Sequence, residues 1–245
     1  MGSNIVLFAT KRVGIEVFRF LLSNNYPICC VVSNELEIVE FAKDSNIPCC
    51  PFGDVENFLD TLESFSWLIN AWSPHYIKKE ILDKFEHRLN IHPSYAPYTL
   101  GNDNAAWAIM EEVENGEIIA GVSLLEMTEK IDEGGIWARS KVDVSFPIKG
   151  YELQKLLIDE CIILFCEKFS DIYSGKVEVM YLSPISKHTR KETNAKKILK
   201  SSDMLSVYEV VNNILANDFS PNYTSILEHK NQKYKITINL EKIND

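Results

Sequence analysis

Asn90 and His92 stand two apart in Leu89-Asn90-Ile91-His92-Pro93-Ser94, and further along lies Glu129-Lys130-Ile131-Asp132-Glu133-Gly134-Gly135. Side chains alternate across a β-strand, so the two polar groups project together while Ile91 points the other way, into a core. The pair joins an amide donor to an imidazole, the group that exchanges protons near neutral pH. Pro93 cannot donate to a ladder, so the strand is expected to end there. Both groups are then left at its carboxyl edge, where open α/β sheets bind ligands. Asp132, in a Gly-bounded turn, could reach the same edge. Taken alone, His92 reads as a hydrogen-bonded structural histidine, and Asp132 reads equally as a turn-capping residue or a catalytic one. Their company favours chemistry.

The elements that would position these groups follow from apolar periodicity. A short apolar run at 4–10 precedes a helical spacing over 13–22, and the alternation repeats: strand 27–32, helix 35–43, strand near 47–50, helix near 55–62, strand 67–72. Repeated βα units imply a Rossmann-like, mostly parallel sheet with flanking helices and right-handed crossovers. A short helix over 78–85 leads into the strand of Asn90 and His92. Beyond it the pattern predicts a helix at 104–114, strands at 120–127 and 136–144, a long amphipathic helix at 151–172 and a strand at 177–182. The first βα turn, Ala9-Thr10-Lys11-Arg12-Val13-Gly14, holds one glycine, too few for a dinucleotide fingerprint, so NAD or FAD is not expected there.

From about residue 185 the character of the sequence changes. Lys187-His188-Thr189-Arg190-Lys191 and Lys196-Lys197 form its only basic concentration. A helix near 204–216 follows, then segments 223–228 and 233–239 flank the turn-like break Asn231-Gln232, which reads as a β-hairpin. The expected division is a catalytic domain over 1–184 and a C-terminal helix and β-hairpin appendage over 185–245.

The 245 residues are 46% hydrophobic and 24% charged, an ordinary globular composition, with net charge −10. That balance excludes a protein that envelops DNA or RNA through a broad basic surface, but leaves room for a local pocket for a small anion. No run is apolar enough to span a bilayer and the opening lacks a signal-peptide pattern, so a cytoplasmic protein without a membrane partner is expected. The six cysteines occur as Cys29-Cys30, Cys49-Cys50, Cys161 and Cys166. No zinc-type spacing with histidine appears, so they read as buried thiols and no metal is expected.

With the elements placed, the sequence resembles the formyltransferases that use N10-formyltetrahydrofolate. Four ordered blocks carry the likeness: 70–82; Asn90-Ile91-His92-Pro93-Ser94-Tyr95-Ala96-Pro97; Trp107-Ala108-Ile109 through Asn115-Gly116-Glu117 to Gly121-Val122-Ser123; and Asp132-Glu133-Gly134-Gly135-Ile136. Within the family it looks most like the sugar N-formyltransferases, through Trp107-Ala108-Ile109, the length, and the ending Phe219-Ser220-Pro221-Asn222-Tyr223 with Lys233-Tyr234-Lys235-Ile236.

The resemblance implies a catalytic trio of Asn90, His92 and Asp132. It places the reduced folate, a co-substrate, against Ser73, His75, Tyr76, Ile77, Lys130 and Ile131. A nucleotide-linked aminosugar would contact Tyr95, Asn102 and Trp107, with Arg190 and Lys191 at its diphosphate and Tyr223 stacked on its base. Lys196, Lys197 and Lys200 read instead as a solvated face. The implied activity is formylation of an amino-deoxysugar such as dTDP-4-amino-4,6-dideoxyglucose for O-antigen synthesis, by a homodimer. Other acceptors in the family are methionyl-tRNA and glycinamide ribonucleotide. The acidic balance and short appendage speak against tRNA, and the extra hairpin against the small purine-pathway enzyme. A non-catalytic folate-binding α/β protein is the reading from another class. Leu125 stands where many relatives carry a polar residue, and Leu215 where a basic one often occurs.

Overall fold

The computed structural model describes residues 4–61 and 65–243. In sequence order come β1 (Ile5–Ala9), α1 (Lys11–Ser23), β2 (Ile28–Val32), α2 (Leu36–Asp44), β3 (Cys49–Cys50), a 3-10 turn (Phe52–Asp54), α3 (Val55–Leu59), β4 (Trp67–Ala71), α4 (Lys79–Leu82) and β5 (His87–His92). Then follow β6 (Leu100–Gly101), α5 (Asn104–Met110), α6 (Glu112–Asn115), β7 (Gly121–Glu126), β8 (Ile136–Lys141) and α7 (Gly150–Tyr173). The remainder holds β9 (Lys187–His188), α8 (Arg190–Lys196), β10 (Ile198–Lys200), α9 (Val207–Ala216), β11 (Ser225–His229) and β12 (Gln232–Ile236).

Seven strands form one sheet in the order β3-β2-β1-β4-β5-β7-β8. The five from β3 to β5 run parallel, and β7 lies antiparallel to β5. This is the mostly parallel sheet with flanking helices that the βα alternation implies. Every residue of β1 and β4 is buried, as in strands covered on both faces. α1 buries Val13, Ile15, Val17, Phe18 and Leu21 against one face. Phe169 of α7 meets Trp67 and Tyr26 there, edge to face, with centroids 5.8 and 5.0 Å apart. Under the other face Phe8, Leu68, Ile77, Ile81 and Phe85 share a core. A Cβ on Gly14 would stand 2.8 Å from the carbonyl carbon of Ala9, so glycine is what lets α1 close onto β1. At the start of α1 the amide of Lys11 donates to Glu35 Oε2 at 2.6 Å. The position that seats a pyrophosphate in dinucleotide folds thus holds the protein's own carboxylate.

Two compact units result. One takes in the described residues up to His92 with Ser123–Arg139 and Ile158–Ser183; the other comprises Pro93–Val122, Ser140–Leu157 and the described residues from Pro184 on. In the second unit β10, β11 and β12 form a small sheet whose last two strands are the hairpin. Its turn sits at Lys230-Asn231, both with positive φ (48° and 63°), one residue before the expected Asn231-Gln232. That is the conformation a two-residue hairpin loop needs to match strand twist.

Other expectations change in detail. The helix expected at 104–114 divides into α5 and α6 around Glu111. The strand expected at 177–182 reduces to a single antiparallel bridge between Ile136 and Met180. The helix near 55–62 ends at Leu59, and residue 62 lies outside the described residues. The two-residue strands β6 and β9 were not anticipated, because so short a segment has no period to read.

Lys149 and Asp218 form an ion pair at 2.9 Å in the second unit, the carboxylate being 1% and the lysine 22% exposed. Burial pushes the Asp218 carboxyl up, but the Ser220 hydroxyl and amide and the Lys149 ammonium outweigh it and hold it below the usual range. Lys149→Met is expected to cost on the order of 2–3 kcal/mol, somewhat less than for a fully enclosed pair because the lysine keeps some solvent. Because the folded carboxyl titrates lower than the unfolded one, this stabilisation is complete above the ordinary carboxylate range and is lost as pH falls through the folded value. Urea titrations of both proteins should show a gap that is constant near neutrality and narrows only in acid.

Candidate active site

β5 delivers Asn90 and His92 to the carboxyl edge of the sheet, and the backbone leaves the strand at Pro93. In register Asn90 lies opposite Asn70 on β4 and Leu125 on β7, while His92 lies opposite Ser123. Asp132 comes from the turn between β7 and β8, with φ +58°, a left-handed conformation that aspartate tolerates better than most residues. Its two carboxylate oxygens are divided. Oδ1 accepts from the Asn90 amide at 3.3 Å, and Oδ2 stands 3.5 Å from His92 Nε2. The imidazole and the carboxylate are each 8% exposed. Two polar side chains of one strand and a carboxylate from a distant turn therefore meet in one place.

Asn70, not among the expected site residues, extends this cluster. Its Nδ2 donates to Asn90 Oδ1 at 3.1 Å and to the Ser73 carbonyl at 3.3 Å, and its Oδ1 accepts from the Ser73 amide at 3.0 Å. The loop that follows β4 turns through Trp72 at φ +70°, a strained conformation for a bulky residue. Thr10 Oγ1 donates to the Trp72 carbonyl at 2.6 Å and holds that turn.

The expected folate residues fall on two loops of the same unit. Ser73 is buried, with its Oγ accepting from the His75 amide at 3.3 Å. His75 stacks on Phe52 with centroids 3.8 Å apart. Ile77 turns inward and joins the core. Tyr76 and Ile131 are 66% and 55% exposed, and Lys130 is exposed beside the Thr128 hydroxyl, to which its amide donates. Two large apolar side chains presented on loops next to a hydrogen-bonding cluster suit a flat, partly polar heterocycle. Among the described residues no group of three His, Cys, Asp or Glu is arranged to hold a metal ion. Nor is any helix long and apolar enough to cross a membrane.

The expected acceptor residues lie in the second unit. Tyr95 packs against Gly121. Asn102 Oδ1 accepts from the Arg190 amide at 3.2 Å, and the Arg190 guanidinium pairs with Asp103. Lys191 is exposed. Trp107 is buried: its indole donates to Thr193 Oγ1 at 2.9 Å and its ring is covered by His188, nearly parallel at 3.5 Å. Tyr223 stacks on Phe219, and the Lys197 ammonium stands 4.1 Å above its ring. Burial pushes the Tyr223 hydroxyl up to about 12 and lowers the Lys197 ammonium. Lys197 therefore leaves the solvated face on which its sequence neighbourhood placed it. The geometry thus brings Asn102, Asp103 and Arg190 together and sets Lys197 on Tyr223. Of the cysteines, Cys30, Cys50 and Cys161 are buried and Cys29, Cys49 and Cys166 only partly so.

Residues 68–155, which contain Asn90, His92 and Asp132, match the model of the Formyl transferase family. The methionyl-tRNA formyltransferase of Mycoplasma mycoides is 22% identical over 95% of this chain and 76% of its own. Where such curated relatives match more than half of this chain, the match spans 51% to 81% of their own length. Among solved structures, a 4-N formyltransferase from Francisella tularensis has the same fold, with a TM-score of 0.82 at 18% identity over 98% of this chain and 99% of its own. An N-formyltransferase from Helicobacter canadensis, in complex with folinic acid and dTDP-3-aminofucose, has a TM-score of 0.73 at 16% identity over 94% of this chain and 85% of its own. Over residues 68–155, about a third of its length, the chain is therefore similar to the Formyl transferase family. Formyl transfer from a formylated folate is the chemistry of that family.

Thr10→Val keeps the shape of a residue that is 5% exposed but removes the hydroxyl from the Trp72 carbonyl. It is expected to cost about 1–2 kcal/mol in chemical denaturation, the usual penalty for a buried acceptor left unpaired.

Proposed function

We propose that this protein transfers the formyl group of N10-formyltetrahydrofolate to the amino group of a nucleotide-linked amino-deoxysugar. dTDP-4-amino-4,6-dideoxyglucose is the acceptor to try first, and the product would serve a surface polysaccharide such as an O-antigen. The observation that carries the reading is the Asp132 carboxylate shared between the Asn90 amide and the His92 imidazole.

An unprotonated amine attacking the formyl carbon pushes the carbonyl electron pair onto oxygen. Asn90 Nδ2 has two hydrogens, of which one is engaged by Asp132, so the other is available to that oxygen. One such donor is typically worth about 3 kcal/mol in the barrier. His92 takes the proton that the attacking nitrogen sheds, and the departing folate nitrogen receives it as its bond to the formyl carbon breaks. Asp132 orients the imidazole. In this reading Ser73, His75 and Tyr76, with Lys130 and Ile131, hold the folate. Arg190 and Lys191 meet the diphosphate, whereas the Tyr223 ring, stacked on Phe219 and covered by Lys197, is not the platform for the base.

The choice of acceptor is supported by likeness in fold over nearly the whole length to the Francisella tularensis 4-N formyltransferase, and by a net charge of −10, unsuited to the phosphates of a tRNA. The sequence relatives favour methionyl-tRNA as a second reading. Purified protein with formyl donor should add one formyl mass to a member of a panel of nucleotide-linked aminosugars. Formylation of methionyl-tRNA with no sugar product would replace this reading by the second. His92→Asn and Asp132→Asn are each expected to lower kcat by about 100-fold or more while leaving the thermal midpoint near that of the parent; unchanged turnover would remove these groups from the mechanism.

A further inference from the structure

We propose that Asn70 is a positioning residue that decides which way the Asn90 amide faces, and thereby whether the reacting oxygen meets a donor. This rests on the reading of Asn90 given above. A primary amide has two nearly isosteric ends, a carbonyl that accepts and an NH2 that donates, and nothing in its shape prefers one orientation over the other. The choice must come from partners. In this site Asn90 has an anionic neighbour, the Asp132 carboxylate, which draws the NH2 end. On the β4 side it has Asn70, whose own orientation is locked.

The lock is local and complete. Asn70 is 8% exposed, and its two ends are both read by Ser73: Oδ1 accepts from the Ser73 amide at 3.0 Å, and Nδ2 donates to the Ser73 carbonyl at 3.3 Å. A backbone amide can only donate and a backbone carbonyl can only accept, so the ends of Asn70 cannot exchange without breaking both bonds. The remaining hydrogen of Nδ2 is directed at Asn90 Oδ1, 3.1 Å away. Asn70 and Asn90 are register partners on parallel strands, which puts their side chains next to each other on the same face. The polarity fixed at the Ser73 backbone therefore passes through Asn70 to Asn90 and ends at Asp132. Reversal of Asn90 would bring NH2 against NH2 on one side and carbonyl against carboxylate on the other. The same contacts tie the loop that carries Ser73, His75 and Tyr76 to the amide, so one residue orients the donor and anchors the loop.

Asn70→Asp and Asn70→Ala separate this role from simple filling of space. Aspartate has the shape of asparagine but, ionised, accepts only, so it draws the NH2 end of Asn90 towards itself and turns a carbonyl to the reacting oxygen. Alanine removes the partner and leaves Asn90 held by Asp132 alone. We expect kcat to fall about 100-fold in Asn70→Asp and only about 10-fold in Asn70→Ala, with KM for the amine acceptor within about 3-fold of the parent. A space-filling role predicts the reverse order, and that order would overturn the proposal.

A measurement independent of turnover is the side-chain amide signal of Asn90 in a proton–nitrogen correlation spectrum, assigned by its absence in Asn90→Ser. It should be well dispersed in the parent and move towards the position of a solvated amide in Asn70→Ala. If it is unmoved, Asn70 does not orient Asn90, whatever the kinetics. If it moves while the parent formylates no acceptor, the orientation stands and the functional reading fails. Should Asn70→Asp not fold, the alanine spectrum still decides.

Discussion

A carboxylate with two oxygens and two different claimants is the interaction on which the rest of this site depends. Asp132 binds an amide through one oxygen and faces an imidazole with the other. Neither contact is short, which suits groups that must tighten around a substrate rather than around each other. Without the carboxylate, the NH2 of Asn90 and the ring of His92 would have no common neighbour and would be oriented separately. With it, one group meets both.

The scaffold makes this possible through register. Asn70, Asn90 and Leu125 lie in one row across β4, β5 and β7. The row ends in a buried aliphatic residue on one side and in a buried amide on the other. Leu125 offers no competing hydrogen bond, so the polarity of Asn90 is set from β4 and from Asp132. The loop after β4 is held in a strained turn at Trp72, at a cost of about 1–3 kcal/mol. The Thr10 hydroxyl and the Asn70 amide group hold it in place. Strain concentrated beside the Asn90, His92 and Asp132 cluster, with its restraints drawn from neighbouring segments, is a pattern that recurs at functional edges.

Much of this was legible in residue order. The spacing of Asn90 and His92, with a proline to stop the strand, needed only the alternation of a β-strand to place both groups at one edge. The alternating βα pattern gave a parallel sheet, because parallel neighbours require a crossover between them. Asn70 opens the 70–82 block but was given no role, because a lone asparagine in the apolar run Trp67-Leu68-Ile69-Asn70-Ala71 has no polar neighbour at strand spacing; a polar residue inside a fully covered strand is itself the signal that could have found it. Lys197 was misplaced for a related reason. In sequence it belongs to a run of lysines, and only packing over Tyr223 separates it from them. The Thr189 and Ser206 capping boxes, by contrast, are local signatures of α8 and α9, and only the second of those helices was anticipated.

The sequence by itself determined the local facts: which segments alternate, where proline and glycine interrupt them, and that an amide and an imidazole share one face of a strand. Those depend on residues near one another in sequence. Tertiary structure decided the distances and the polarity. It brought Asp132 to within reach of Asn90 and His92 and chose which end of each amide faces which neighbour, and it turned Ile77 into the core while leaving Tyr76 exposed. Such outcomes depend on strand register and on hydrogen bonds between groups far apart in sequence. A linear reading cannot sum those, because an amide has the same composition in either orientation and only its neighbours in space tell the two apart.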